Sequence, residues 1–159
     1  IIMLLLYNTG MRKSELIGLT DESVDYAQKR IAVVGKGNKQ RIIPITNDLL
    51  TKIRKYIQIR NQSFECRESF LLLTDKGKPM YPKLVYNVVN RVLVSMATST
   101  KKSPHILRHT FATHMANNGA ELNTIKELLG HASLAATQVY THNSIEKLKD
   151  VYSRSHPKA

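Results

Sequence analysis

The feature that most constrains the fold of this chain is a strand–turn–strand pattern placed early in an otherwise helical sequence. Residues Arg30 to Val34 are apolar and rich in β-branched side chains, and residues Gln40 to Ile45 repeat that character. Between them, Gly35-Lys36-Gly37-Asn38 supplies residues that accept the positive φ angles of a tight turn. Pro44 has no N–H for a ladder hydrogen bond, so we expect this end of the strand to lie at a sheet edge or at a bulge. The pattern predicts a small antiparallel sheet within Val24 to Ile45.

Helical patterns occupy the sequence on both sides of these strands. The predicted helices are bounded by capping residues, such as Gly10 after the first, Asn47 or Asp48 before the third and Ser103-Pro104 before the fifth. Apolar residues at helical spacing mark the buried side of each helix. The predicted helices span about 1–7, 14–19, 47–60, 82–96, 104–118 and 121–129, a short segment that leads to Tyr140, and 144–153. The sequence therefore predicts an α+β fold, a mainly α-helical domain with a small antiparallel β-sheet at one edge.

The charge of the chain indicates a polyanionic partner. Its 159 residues include 24 Lys and Arg against 12 Asp and Glu, a formal net charge of +12. Nucleic acid is the most frequent partner of such a chain, although a solvated basic surface has the same composition. The single cysteine, Cys66, excludes an internal disulfide and fits a reducing cytosol. The apolar run from Ile1 to Tyr7 is too short to cross a bilayer.

Four side chains in the C-terminal half suit a phosphate group. His105 and Arg108 stand at positions i and i+3 of a predicted helix and therefore share one face. His131 follows the helix-ending Gly130, and Tyr140 comes shortly afterwards. Arg binds two oxygens at once, His transfers protons near neutral pH and Tyr can be a nucleophile. Each residue also has an ordinary alternative: His131 can cap the preceding helix, and Tyr140 can be a half-buried core residue.

Basic residues in the N-terminal half extend this set. Arg12 lies between two helix ends, where it either donates into a cleft or pairs with Glu15 at the surface. Lys36, Lys39 and Arg41 cluster at the tip of the predicted hairpin. Basic hairpin tips are common because they deter pairing between sheet edges. In the functional interpretation the tip reaches into a nucleic-acid groove, so Lys39 and Arg41 contact DNA.

A zinc site is the main alternative for the histidines. His105, His109 and His114 lie in one predicted helix. However, His109 and His114 face different sides of it, and no carboxylate or cysteine completes a ligand set. We therefore expect no metal at these residues.

The candidate residues fall within five segments that together are far more specific than any one motif. The segments are Thr9–Leu16, Gly35–Arg41, His105–His114, Leu128–His131 and Thr137–His142. In order, they resemble the first arginine motif, the hairpin with the catalytic lysine, the His-x-x-Arg box, the second histidine and the nucleophile of the tyrosine recombinase (phage integrase) family. The chain is similar over nearly its whole length to the catalytic domain of that family, and Xer-type recombinases look most alike.

The resemblance implies the fold of the DNA breaking–rejoining enzymes and DNA strand exchange through a covalent 3′-phosphotyrosine. It implies that Glu15 supports the site and that His131 donates a hydrogen bond to the phosphate. The catalytic residues that it implies are Arg12, Lys36, His105, Arg108, His131 and Tyr140. No metal or ATP is expected, because the arginines supply positive charge and the phosphotyrosine stores the energy of the broken bond.

The chemistry of the residue types agrees with these implied roles. Arg12 and Arg108 can bind the non-bridging oxygens of the phosphate that Tyr140 attacks. His105 is expected to accept the phenolic proton as general base, and Lys36 to protonate the 5′-oxygen that leaves.

The resemblance also implies a domain arrangement and partners. In the family an N-terminal DNA-binding domain precedes the catalytic domain, so residues 1–159 are expected to be a single C-terminal catalytic domain without that first part. The expected partner is double-stranded DNA at a specific target site in the cytoplasm, bound by a homo- or hetero-tetramer of protomers that are monomers when free. No membrane association is expected. Residues 145–152 either dock on a neighbouring protomer or fold back on their own domain, and both remain open.

Two other functions share parts of this pattern. A type IB topoisomerase uses the same reaction but relaxes DNA as a monomer, so rotation or exchange of strands separates the two. A non-enzymatic DNA-binding module explains the charge but not a complete catalytic set, and its binding would be unaffected by Tyr140→Phe. The target sequence, and the choice between chromosome-dimer resolution and movement of a mobile element, remain open at this point.

Overall fold

The computed structural model describes residues 1–64, 69–96, 103–130 and 142–157. Within them it has seven α-helices and one three-stranded sheet, which confirms the predicted α+β class. In chain order the elements are α1 (Ile2–Thr9), α2 (Lys13–Ile17), β1 (Val24–Asp25), β2 (Arg30–Val34), β3 (Gln40–Pro44), α3 (Asn47–Ser63), α4 (Pro82–Met96), α5 (Pro104–Asn117), α6 (Leu122–Leu129) and α7 (His142–Ser155).

The sheet is antiparallel throughout and has the order β1-β2-β3. Strand β3 is an edge strand, as the position of Pro44 predicts, and Pro44 lies opposite Arg30. The turn between β2 and β3 contains two residues with positive φ, Gly37 at 75° and Asn38 at 57°. The predicted hairpin therefore forms with the turn residues that the sequence indicated.

One apolar cluster joins the first four helices to the inner face of the sheet. Strand β2 shows the alternation that this requires, because Ile31 and Val33 are buried while Val34 is exposed. Leu5 of α1, Ile53 of α3 and other aliphatic side chains complete the cluster. Burial of this one face fixes the register of the hairpin, since a shift of one residue would turn the apolar side chains to solvent.

A second cluster joins α5, α6 and α7 through Phe111, Leu128 and Leu148. Helix α7 packs on its own domain in this structure. Its Tyr152 hydroxyl donates a hydrogen bond of 2.9 Å to the carbonyl of Asn8, and the buried position raises the pKa of that phenol. The fold-back alternative for the C-terminal helix is therefore the arrangement that the single chain adopts.

Several helix boundaries differ from the predictions by a few residues, α3 and α7 among them. The cap of α3 is Thr46 rather than Asn47 or Asp48, because the Thr46 hydroxyl accepts a hydrogen bond of 3.2 Å from the Leu49 N–H. Helix α3 also continues past residue 60 to Ser63, and α7 begins at 142 and ends at 155. The short helix predicted before Tyr140 lies outside the described residues. Among the helices that the structure describes, none has the length and apolar character needed to cross a membrane.

Candidate active site

Helix α5 presents His105 and Arg108 to a pocket. Ser103 precedes the helix and Pro104 occupies its first turn, so His105 lies near the N-terminal end. The Arg108 guanidinium lies one turn later and donates 2.7 Å hydrogen bonds to the carbonyls of Gly10 and Leu129. The pocket has a volume of about 250 Å³ and is lined by Met11, Arg12, Lys13, Tyr86, Ser103, Pro104, His105 and Arg108.

Arg12 reaches the same pocket from the N-terminal end of α2. Helix α1 ends at Gly10, whose φ of 60° turns the chain so that Met11 is buried and Arg12 begins the next helix. The backbone N–H of Arg12 donates to Glu15 Oε2 at 2.6 Å, and its Nη1 donates to Oε1 at 2.8 Å. Its Nη2 donates to the carbonyl of Gly130 at 3.0 Å. The Arg12 guanidinium is thus held at both ends while about a third of the side chain, 35%, stays exposed.

Glu15 is a buried carboxylate shared by two arginines. Its side chain is only 1% exposed, and both of its oxygens accept hydrogen bonds from Arg12 and from Arg41. Burial alone raises the pKa of this carboxyl, but the bonds and charge of Arg41 and the bonds from Arg12 outweigh that effect. The pKa of Glu15 therefore lies below its usual value, and the group is ionised at neutral pH.

Arg41 is not at the exposed hairpin tip, where the sequence-based interpretation placed it. The residue is 5% exposed. Its Nη1 and Nη2 donate to the two oxygens of Glu15 at 2.5 and 2.9 Å, and its Nε donates to the carbonyl of Leu128 at 2.8 Å. The cause is the alternation of β3, which turns Arg41 to the same inward side as the fully buried Ile43. This placement corrects the proposed contact of Arg41 with DNA.

The C-terminal end of α6 collects three arginines. The successive carbonyls of residues 128–130 accept hydrogen bonds from Arg41, Arg108 and Arg12, in that order. A helix C-terminus carries partial negative charge, so it is a favourable place for cations. Burial, followed by the charges of Arg12 and Arg41, lowers the pKa of Arg108 to about 10, which still leaves it protonated at neutral pH. Three guanidiniums against one carboxylate make this region of the described chain strongly positive.

The structure describes the other predicted site residues only in part. Lys36 lies in the hairpin turn at Lys36–Asn38, and its side chain is outside what the structure describes. The base of that turn is close to the arginines, because a methyl group at Gly35 would lie 3.3 Å from Glu15 Oε1 and 3.8 Å from Arg12 Nη1. Lys39 is exposed beside the turn. His131 and Tyr140 lie outside the described residues.

The histidine helix does not present a metal site in the part of the chain that is described. His114 Nδ1 is 3.0 Å from the Tyr7 hydroxyl, in a different direction from the pocket that His105 lines. No group of three or more His, Cys, Asp or Glu within residues 1–64, 69–96, 103–130 and 142–157 is arranged to hold a metal ion.

Sequence reasoning did not single out Tyr86, which comes to the pocket from a different helix than the predicted residues. Tyr86 of α4 lines the pocket and is 38% exposed. The signal in the sequence was a tyrosine beside the apolar stripe of the helix, because an apolar ring with a polar hydroxyl suits a half-exposed position.

Comparison with known proteins gives consistent matches. Residues 1–147 match the family model described as "Phage integrase family". The tyrosine recombinase XerC of Chlorobaculum parvum is 42% identical over 164 residues, which cover 99% of this chain and 49% of the relative. The chain spans about half the length of the curated relatives it matches. The matched part is 49% of the Chlorobaculum parvum protein and 54% of the tyrosine recombinase XerC of Staphylococcus carnosus.

Solved structures are similar in fold over almost the whole chain. The crystal structure of XerA recombinase has a TM-score of 0.74 and 31% identity, with 98% of this chain and 57% of that chain covered. The XerH site-specific recombinase, bound to its difH substrate in a pre-cleavage complex, has a TM-score of 0.72 and 26% identity, with 96% of this chain and 44% of that chain covered.

Proposed function

This chain belongs to the phage integrase family, and we propose on that premise that it is the catalytic domain of a tyrosine site-specific recombinase. The proposed reaction cleaves and rejoins DNA strands through a covalent 3′-phosphotyrosine. The observation that carries the proposal is the pocket in which the guanidiniums of Arg12 and Arg108 converge with His105. Relatives of similar sequence are tyrosine recombinases, and one similar structure, that of the XerH site-specific recombinase, is bound to its difH substrate.

The two arginines of the pocket support the binding of a DNA phosphate. Each guanidinium is anchored from behind, Arg12 by Glu15 and a carbonyl, and Arg108 by two carbonyls. A phosphate that enters the pocket therefore meets donors whose positions are already set, so little reorganisation is needed when charge develops in the transition state. The excess of positive charge also favours the phosphate over a neutral ligand.

In the proposed mechanism, Tyr140 Oη attacks the phosphorus and the bond from phosphorus to the 5′-oxygen breaks. His105 accepts the phenolic proton, because a phenol with a pKa of about 10 is a weak nucleophile at neutral pH. Lys36 donates a proton to the leaving 5′-oxygen, and His131 donates a hydrogen bond to the phosphate. Attack by the 5′-hydroxyl of another strand on the phosphotyrosine reverses these steps and rejoins the DNA.

The proposed partner is double-stranded DNA at a specific target site. The net charge of +12 supports this, and the exposed Lys39 beside the hairpin turn is proposed to contact a phosphate. We further propose that the chain acts as one catalytic domain beside a separate DNA-binding domain. Its protomers are proposed to be monomers when free and to form a tetramer on DNA. The proposed location is the cytoplasm.

Covalent trapping tests the proposed reaction. The target site is first recovered by selecting bound fragments from a random duplex library. A duplex that carries this site is then nicked a few nucleotides beyond the scissile phosphate, so that the short 5′-hydroxyl fragment diffuses away and religation fails. A denaturing gel is expected to show protein linked to the 3′ end of the cut strand, and Tyr140→Phe is expected to abolish that band without weakening DNA binding.

The same system separates the alternatives. Binding without an adduct from the unaltered protein would contradict the proposed function and indicate a binding module. An adduct together with relaxation of supercoiled DNA, but with no exchange between two labelled duplexes, would indicate a topoisomerase.

A further inference from the structure

We infer that Arg41 is a positioning residue of the proposed reaction, and this role rests on the function proposed above. Arg41 does not line the pocket, and among the described residues its side-chain hydrogen bonds go to Glu15 and to the carbonyl of Leu128. Through Glu15 it sets the position of Arg12, and through the carbonyl of Leu128 it holds the end of α6.

Glu15 is shared between Arg41 and Arg12. Arg41 contributes Nη1 and Nη2, and Arg12 contributes its backbone N–H and Nη1, to the same two carboxylate oxygens. A carboxylate divided between two guanidiniums attracts each of them less than it would attract one alone. Loss of the Arg41 bonds would therefore draw Arg12 towards Glu15 and away from a phosphate in the pocket.

Arg41 connects three elements of the fold. It stands on β3, its carboxylate partner is on α2 and its carbonyl partner is at the end of α6. Each element is next in the sequence to a proposed catalytic residue or its segment. Strand β3 follows the hairpin turn that contains Lys36, α2 follows Arg12, and α6 comes before the segment that begins with His131. One guanidinium thus fixes the relative positions of the supports of three proposed catalytic residues, which a group with a single donor atom cannot do.

The C-terminal end of α6 leaves room for the Arg41 guanidinium. Gly130 ends α6 with a φ of 65°, and a methyl group on it would lie 2.9 Å from Arg41 Cδ and 3.1 Å from Nη1. The helix therefore ends with a residue that has no side chain at the point where Arg41 passes beneath it. Close approach of this kind favours Gly, and it accounts for the place at which α6 stops.

The chain contains a matched control for a general effect on stability. Arg60 is 4% exposed and also binds a carboxylate through two nitrogens, with 2.8 and 2.6 Å to the oxygens of Asp21. It also donates to the carbonyls of Phe70 and Leu71, both at 2.9 Å. None of these partners lines the pocket.

The test compares Arg41→Lys with Arg60→Lys on the nicked duplex. Single-turnover cleavage rates at saturating DNA, DNA dissociation constants and urea unfolding are measured for both variants and the unaltered protein. Arg41→Lys is expected to lower the cleavage rate about 10- to 100-fold, because misplaced groups lose much of their effect, with a dissociation constant within about twofold of the unaltered value. Arg60→Lys is expected to lose stability but to cleave within about twofold of the unaltered rate.

Glu15→Gln serves as the second variant, because it keeps the shape of the shared group and removes its charge. It is expected to slow cleavage in the same way, and the double variant with Arg41→Lys is expected to be no slower than the slower single variant. If Arg41→Lys proves too unstable to assay, the double variant is too, and Glu15→Gln alone decides the question, because it removes the charge through which Arg41 acts on Arg12.

Each contrary outcome has a distinct meaning. Unchanged cleavage by Arg41→Lys or, if that variant is not folded, by Glu15→Gln overturns the inference and leaves the proposed function standing. Weaker DNA binding by Arg41→Lys with a normal cleavage rate at saturating DNA also overturns the inference, because Arg41 would then be a DNA contact. Equal slowing of cleavage by Arg60→Lys overturns it as well, because the slowing would then be an effect of lost stability. No Tyr140-dependent adduct from the unaltered protein would reject the proposed function itself, and the positioning role with it.

Discussion

At the scale of single residues, the ionised Glu15 determines how the arginines of the site are distributed. It lies between Arg12 and Arg41, and it is the carboxylate that both of them contact. Arg108 is held differently, by carbonyls alone, and neighbouring positive charges add to the burial that lowers its pKa. The site therefore combines two guanidiniums that share one carboxylate with a third guanidinium that has positive neighbours, and the remaining positive charge favours an incoming phosphate.

A prediction at this scale concerns the pH dependence of stability. The pKa of Glu15 is lower in the folded state than the ordinary value of 4.5 for a glutamate, so folding disfavours protonation of this group. Its stabilising contribution is therefore complete above about pH 4.5 and is lost as the pH falls below that value through the folded-state pKa. Glu15→Gln is expected to be less stable than the unaltered protein at neutral pH and to lose less of its stability in acid.

Urea unfolding between about pH 7 and pH 3 measures both curves. Asp25, whose pKa is also lowered, is present in both proteins and contributes equally to each. Parallel curves for the two proteins would contradict the prediction.

At the scale of secondary-structure elements, the ends of two helices determine the geometry of the site. The C-terminal end of α1 supplies the Gly10 carbonyl to Arg108, and the C-terminal end of α6 supplies carbonyls to three arginines. Both helices end in a glycine with positive φ, 60° at Gly10 and 65° at Gly130. Helix-ending carbonyls that would otherwise need water or a cap thus serve to orient cations.

A prediction at this scale compares two glycines with similar φ but different surroundings. Gly37 has a φ of 75°, and a methyl group added to it would have open space around it. A methyl carbon added to Gly10 would instead lie 2.6 Å from Phe111 Cδ1 and 2.9 Å from Leu129 Cδ2. Gly37→Ala is expected to cost about 1 kcal/mol of unfolding free energy from backbone strain alone. Gly10→Ala is expected to cost roughly 1–3 kcal/mol more, because the packed side chains must move.

Urea unfolding of the two variants measures the difference directly. Gly37→Ala acts as the control for backbone strain, since the two positions share the left-handed conformation. Equal losses in the two variants would mean that the contact of α1 with α5 and α6 is less rigid than the distances indicate.

At the scale of the whole molecule, the arginines connect the two apolar clusters of the described chain. Arg12 and Arg41 extend from the side of the first cluster to the end of α6, which belongs to the second. Arg108 extends in the opposite direction, from α5 to the end of α1. The candidate active site is therefore located where the clusters meet, and its geometry depends on how they pack.

A prediction at this scale concerns the salt dependence of DNA binding. A chain with a net charge of +12 that contacts several phosphates is expected to lose affinity by orders of magnitude between about 50 and 200 mM salt. Lys39→Gln is expected to reduce the slope of log Kd against log salt by about 1, because one phosphate contact is removed. Equilibrium titrations at several salt concentrations measure the slope, and the buried Arg41 provides the contrast, since Arg41→Lys is expected to leave it unchanged. An unaltered slope in Lys39→Gln would remove Lys39 from the DNA contacts.

Local patterns in the sequence were sufficient to predict most elements of the fold. The hairpin, the limits of α4 and the edge position of Pro44 all follow from β-branched runs, helical spacing and the missing N–H of proline. These signals act within a few residues, so they survive without knowledge of the tertiary structure. The convergence of His105 and Arg108 at one pocket was predictable for the same reason, since it depends on one turn of helix.

Only the tertiary structure decided the position of Arg41 and the way the arginines are held. The alternation of β3 was readable in the sequence, since Arg41 shares a side with Ile43, but its partner Glu15 and the carbonyl of Leu128 were not. Arg12 and Arg108 likewise bind carbonyls that are distant in the sequence. A carbonyl is present in every residue, so nothing in the side-chain sequence marks the one that will accept a bond. That choice is made when the helix ends are brought together by the packing of the two clusters.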